Sequence, residues 1–434
     1  MKIGVVVLLP DKGHLVPIKR LVETLYKQHE IVIFTNKLHE EDMNMFGTVE
    51  TIETNDVQMN TIEGLTKYDL ASIAKEIFIN YHEKLFDGFK FEELCNRINT
   101  HNVDCILSEH NRNGLGIIHD IATRLNKPTL LHEVSGDMEF SSLCEYYNME
   151  INMRNELYVL LQNVVIAVLL FRDVFRKVSF EEYNKLYNQY RNNEYPNNVK
   201  VIGSGVTSIR KVHDFYKSVY TPINIPITKT VHRNIEIEQF ERVVFISFGT
   251  QCHPPHDTVS RMINVLRTLN ITFVWSGLKT EIDLPTNIVP YDYVDQVSIL
   301  NSPNVVACIC HGGTNTLMEC LDAGVCIIVI PQTSDQPFNA NVLKHEELCQ
   351  VVNNEDIEKN LSLAIRTMKR PKSVKVCEVN IEDQFINFKH HENTTVNHKH
   401  MTTYHVLSAI TFVWYWMFML LNTYSWLNSQ TFGL

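Results

Sequence analysis

Positive charge is scarce in this chain: 39 Lys and Arg stand against 50 Asp and Glu in 434 residues, a net charge of -11. A general nucleic-acid binder needs a basic face to neutralise phosphates, so that class is excluded. Sixteen glycines are too few for a collagen-like repeat, and no heptad pattern is sustained as a coiled coil requires. The length rules out a small disulfide scaffold. None of the ten cysteines forms Cys-x-x-Cys. Cys308 and Cys310 sit one apart in an apolar run, which on a strand turns both to one side as small core hydrophobes rather than as a zinc or redox pair. Low-complexity tracts and short-period repeats are absent too. What remains is 44 % apolar and 21 % charged residues over a length worth two or three domains, a globular chain able to bury a large core.

The two ends differ. Ile3–Leu9 is an apolar run followed by Pro10, Asp11 and Lys12, with no small-residue cleavage site, so it reads as a buried first strand rather than a leader. Residues 404–421 run YHVLSAITFVWYWMFMLL without one Lys, Arg, Asp or Glu, and with the residues that follow they are long enough for a membrane-spanning anchor at 404–425. Lys399 before this span, with no charge after it, places the globular part on the cytoplasmic side by the positive-inside bias. A second stretch, Leu157–Phe171, is too short to span and suits a core or interfacial helix.

Between the ends the pattern alternates. Strand Ile3–Leu9, a polar turn from Pro10 to His14, helix Val16–Gln28 and strand Ile31–Thr35 make a βαβ unit and predict a parallel sheet. Asp104–Ser108, Ile117–Leu125 and Pro128–His132 continue it as strand, helix and strand. After a connecting segment the alternation restarts with strand Val243–Ser247, helix Val259–Leu269, and strands Ile271–Trp275 and Val305–Ile309. Helix Thr314–Leu321, strand Val325–Ile330 and helix Phe338–Leu348 complete it. The expectation is an α/β protein with two halves: 1–205, a linker at 206–240, 241–400 ending in a return helix, and the anchor at 404–425.

In open α/β sheets ligands bind beyond the carboxyl ends of the strands. The richest such position is Cys310-His311-Gly312-Gly313-Thr314-Asn315, between a predicted strand and a predicted helix. Glycines allow close approach to the backbone and a helix start offers free N–H groups, which together suit a phosphate. Ser247, Gly249 and Thr250 form a similar turn. Glu319 and the Asp335-Gln336 pair suit sugar hydroxyls, although Asp-Gln-Pro is also an ordinary helix start in which Asp335 is only the cap.

The stretch HGGTNTLMECLDAGVCIIVIPQTSDQPFNAN, His311–Asn341, resembles the donor-binding signature of the UDP-glycosyltransferases, in particular the membrane-anchored glucuronosyl- and glucosyltransferase group (glycosyltransferase family 1). VVFISFGT at Val243–Thr250, PNNVKVIGSG at Pro196–Gly205 and GHLVP at Gly13–Pro17 add to the likeness. The resemblance implies a GT-B fold, two Rossmann-like domains facing a cleft, acceptor in the first and UDP-sugar donor in the second. It implies that Tyr293 stacks on uracil, Gln296 contacts its edge and Glu319 holds the ribose. His311, Gly312, Gly313, Thr314, Asn315, Ser247, Gly249 and Thr250 surround the diphosphate, and Asp335 and Gln336 bind the transferred sugar. His14 falls at the family's catalytic base and Glu109 at the carboxylate that orients it, with Asp120 a weaker candidate. No Asp-x-Asp occurs, which agrees with a reaction that uses no metal or other cofactor.

The reading is thus an inverting transfer of glucose or glucuronic acid from a UDP-sugar to a hydroxyl of a small lipophilic acceptor. The alternatives are a non-catalytic relative that binds UDP-sugar or a lipophile, and a sterol or lipid glycosyltransferase. The resemblance places the protein in the endoplasmic reticulum membrane, whereas a chain without a leader suits a tail-anchored, cytosol-facing topology. The stretch from Pro128 to Pro196 is short for the family's acceptor region, and a strand expected before the linker is not visible.

Overall fold

The computed structural model describes residues 1–9, 12–54, 89–109, 116–133, 197–204, 220–223, 225, 227, 237–249, 254–332, 336–371, 381–386 and 388. They form two parallel sheets with helices packed on both faces.

The first sheet contains β1 (Lys2–Val7), β2 (Glu30–Asn36), β3 (Thr48–Ile52), β4 (Cys105–Glu109), β5 (Thr129–Glu133), β6 (Val199–Gly203) and β7 (Tyr220–Pro222), in the order β3-β2-β1-β4-β5-β6-β7. Alternate residues of each strand face opposite layers. Ile3, Val5, Val7, Ile31 and Ile33 pack on the apolar side of α1 (Lys12–Leu25), which supplies Leu15, Ile18, Leu21, Val22 and Leu25. Val6, Leu8, Val32, Phe34 and Ile106 face α2 (Phe91–Thr100) and α3 (Gly116–Leu125).

The second sheet has the order β10-β9-β8-β11-β12-β13, built from β8 (Val243–Ser247), β9 (Thr272–Ser276), β10 (Ile288–Tyr291), β11 (Val305–Cys310), β12 (Cys326–Val329) and β13 (Gln350–Val351). Val244, Ile246, Phe273 and Trp275 pack on α4 (His256–Leu266) and on α8 (Ile357–Arg366). Val243, Phe245, Cys308 and Cys310 point the other way, toward α5 (Gln296–Leu300), α6 (Thr314–Ala323) and α7 (Gln336–His345). The two cysteines therefore share one face of β11 as buried core residues.

Two expectations need correction. The first helix begins at Lys12, not Val16, so His14 stands in its first turn and not in a loop. Strands are present before and within the segment read as a linker: β6 pairs with β5, and β7 adds to β6 as the edge of the first sheet. The helix α9 (Ile381–Ile386), in the place of the expected return helix, buries Ile381 and Phe385 in the core of the first domain. The chain thus crosses back, and His29 Nε2 lies 3.2 Å from Glu382 Oε1 where it lands.

Among the described residues no helix is long and apolar enough to cross a membrane. The predicted anchor at 404–425 and the apolar stretch 157–171 lie outside the described residues.

Candidate active site

Each sheet reverses its strand order at one place, between β1 and β4 in the first and between β8 and β11 in the second. At such a switch point the connections leave in opposite directions and open a crevice beyond the strand ends. The two richest polar clusters of the sequence sit at these two crevices.

At the first, Glu109 ends β4 beside the end of β1. Its Oε1 accepts from the backbone N–H of Leu8 at 3.1 Å and of Leu9 at 3.0 Å, and its Oε2 lies 3.6 Å from His14 Nδ1. The carboxylate is 2 % exposed and the imidazole 29 %, so the pair joins a buried acid to a ring that reaches the crevice. The two carbonyls at the end of β1 are taken up as well: Asn36 Nδ2 donates to Leu8 O at 3.2 Å and His39 Nε2 to Leu9 O at 2.8 Å. Backbone that leaves a sheet in the interior must find such partners. Here they fix the approach to His14, and neither Asn36 nor His39 was singled out from the sequence. Asp120 lies exposed on α3, and burial of its surroundings raises its carboxyl above the ordinary range. Among the described residues Glu109, not Asp120, is the carboxylate found beside His14.

At the second crevice His311 follows β11 and its ring lies between two glycines. A Cβ on Gly313 would meet His311 Nε2 at 2.4 Å, and one on Gly249 would meet the same atom at 3.0 Å. These glycines, expected to let a ligand reach the backbone, first make room for the imidazole. Gly249 and Gly312 also hold φ of 76° and 94°, a region that side chains disfavour. Burial pushes the His311 ring down to about 4, against a backbone hydrogen bond with Ser247 that works the other way, so the ring is neutral at pH 7.

That shift has a sign. The unfolded chain takes up the proton near the ordinary 6.5 and the folded chain only near 4, so stability is full above pH 6.5 and falls as the pH drops through this window. Urea denaturation at pH 7 and pH 4.5 is expected to show a larger loss for the wild type than for His311→Gln. The difference should be of order 1–2 kcal/mol, discounted for the ring's partial exposure.

Thr314 opens α6. Asn339 of α7, fully buried, donates to Thr314 Oγ1 at 3.2 Å and to Gly312 O at 3.0 Å, so it clamps both sides of the glycine turn. Nothing local in the sequence marks it, since its partners lie 25 and 27 residues back along the chain. Further along α6, Glu319 accepts from Gln296 Nε2 at 2.6 Å, and Gln296 also reaches Thr316 Oγ1 at 3.2 Å. Tyr293 stands beside them 72 % exposed, a free aromatic face at the rim. Gln336 is buried at the start of α7, and its Oε1 accepts from Gln332 N at 2.9 Å, a bond that braces the loop before the helix. Thr250 and Asp335 lie outside the described residues.

The two crevices meet. Pro17 sits inside α1 and cannot make the usual helical bond to Gly13 O four residues back, which leaves that carbonyl open to another donor. Asn315 Nδ2 donates to it from the second domain at 3.0 Å. Two turns further on, Arg20 pairs with Glu319 Oε1. The Gly-His-Leu-Val-Pro segment is thereby both the carrier of His14 and one of the places where the domains touch. Among the described residues no group of three or more His, Cys, Asp or Glu is placed to hold a metal ion.

Two α/β domains with facing crevices at their switch points define a GT-B-type architecture, the fold of the glycosyltransferases among solved structures. The glycotransferase of kitacinnamycin superposes with a TM-score of 0.57 over 84 % of this chain and 89 % of its own, at 15 % identity. An Arabidopsis thaliana protein solved in complex with UDP gives 0.55 over 83 % and 90 %, at 13 % identity. The chain belongs to the UDP-glucoronosyl and UDP-glucosyl transferase family, whose model matches residues 137–381. Sequence relatives include a UDP-glycosyltransferase of Dactylopius coccus, 30 % identical over 129 residues, 29 % of this chain and 26 % of that protein. The ecdysteroid UDP-glucosyltransferase of Autographa californica nuclear polyhedrosis virus is 27 % identical over 108 residues, 23 % of this chain and 21 % of that protein. The chain thus matches about a quarter of these relatives' length.

Proposed function

We propose that this chain is an inverting glycosyltransferase that moves glucose or glucuronic acid from a UDP-sugar to a hydroxyl of a small lipophilic acceptor, with no metal in the reaction. The observation that carries the reading is the meeting of the two crevices, which sets His14, backed by Glu109, against a glycine turn and helix start suited to a diphosphate. With Nδ1 turned to Glu109, Nε2 of His14 is the atom that takes the acceptor's hydroxyl proton. The oxygen attacks the anomeric carbon from the side opposite UDP, the bond from that carbon to the diphosphate oxygen breaks, and configuration inverts. The charge left on UDP falls on the N–H groups that open α6 and on neutral His311. Tyr293 would stack on uracil and Glu319 with Gln296 would hold the ribose side. In this reading residues 404–425 hold the protein at a membrane, into which its acceptors partition.

The test is transfer by the full chain from UDP-glucose and from UDP-glucuronic acid to a panel of lipophilic alcohols and phenols, with the product's anomeric configuration read by NMR. A β-linked product from the α-linked donor supports the reading. A retained configuration contradicts the mechanism. A chain that binds UDP but transfers to no acceptor points to a non-catalytic relative.

A further inference from the structure

The residues placed around the diphosphate present a charge problem. Ser247, Gly249, Gly312, Gly313, Thr314 and Asn315 are uncharged, His311 is neutral at pH 7, and Glu319 nearby adds negative charge. A nucleoside diphosphate brings more. Among the described residues a cation is delivered from the other domain: Arg20 of α1, paired with Glu319 while both are nearly buried, 13 % and 8 % exposed.

Its placement is built. Gly13 and Arg20 are seven residues apart, two turns of helix, and so share the face of α1 that meets the second domain. Gly13 docks on Asn315 and Arg20 on Glu319, four residues along α6. Helical side chains lean toward their own N-terminus, so the guanidinium reaches back along α1 toward the end where Gly13 meets the glycine turn. One arm of its five-donor fork serves Glu319, and the fork geometry suits a second oxyanion.

We propose that Arg20 is a donor-binding residue lent by the acceptor domain: its guanidinium neutralises Glu319 and contacts the diphosphate of the bound nucleotide, tying donor binding to closure of the cleft. This rests on the UDP-sugar reading of the site. It has a distinctive consequence. An arginine that serves the diphosphate discriminates UDP from uridine, whereas one that merely occupies Glu319 competes with the ribose of both.

The test is calorimetric titration of the full chain with UDP and with uridine, for wild type, Arg20→Met and Arg20→Lys, and for Glu319→Gln with and without Arg20→Met. The Glu319→Gln background removes the buried carboxylate that the methionine would leave unpaired. Arg20→Met is expected to weaken UDP about tenfold or more and uridine less than about threefold, with Arg20→Lys in between and the same discrimination in the Glu319→Gln background. The UDP affinity of Arg20→Met should also depend less on salt. Equal losses for both ligands, unchanged UDP affinity or tighter binding of either would overturn the proposal. A wild-type chain that binds no UDP instead removes the reading on which it rests.

Discussion

Replacement of His14 by alanine should lower the rate of sugar transfer by about two to four orders of magnitude, the range for loss of a general base, while UDP affinity changes little. The split follows from position. His14 stands on α1 at the first crevice, and the groups expected to hold the nucleotide belong to the second domain. Glu109→Gln is the sharper companion. Its side chain can still accept from Leu8 and Leu9 through the amide oxygen, so the end of β1 stays anchored. The amide nitrogen then faces His14 Nδ1, donates to it, and leaves the hydrogen on Nε2, the atom that must accept a proton. Loss of rate with an unaltered urea midpoint is the expected outcome, comparable in kind to wrong-tautomer variants of catalytic triads. Transfer that survives in His14→Ala would remove it as the base. A Glu109→Gln chain that simply unfolds would assign Glu109 to structure alone.

The second large effect is expected at a residue with no side chain. Gly313→Ala places a methyl group 2.4 Å from His311 Nε2, inside any tolerable contact, while φ at this position is an ordinary -65°. Backbone conformation is therefore not the obstacle; the imidazole is. The ring must leave its seat or the turn must shift, and either moves a diphosphate donor away from the start of α6. The expected result is a donor KM raised about 10- to 100-fold, with an overpacking cost of about 1–3 kcal/mol in stability. An unchanged donor KM would mean that His311 has no part in binding.

Much of this was legible in the sequence because parallel strands buried on both faces read as continuous apolar runs. Val243–Ser247 appears with the predicted bounds, and β11 differs only by the addition of Cys310. The strands that escaped notice are edge or near-edge ones. Thr48–Ile52 mixes Thr and Glu with two apolar residues, Ile288–Tyr291 contains Pro290, and both end a sheet, where burial on one side imposes little pattern. The start of α1 was missed for a different reason: Gly13 and Pro17 are poor helix formers, and contacts with the other domain outweigh their propensity.

The site divides in the same way. Residues proposed to meet a ligand, such as His14, His311 and Glu319, carry recognisable types at recognisable spacings. Those that position them, Asn36, His39, Asn339 and Arg20, act across long separations in the chain, and nothing local marks them.

In this reading the second crevice is a nucleotide site built around His311. The most direct measurement is calorimetric titration of UDP into the full wild-type chain and into His311→Ala. The account predicts saturable one-to-one binding by the wild type and its loss in the variant. A folded wild-type chain that gives no binding heat, or a variant that binds as tightly as the wild type, would contradict it.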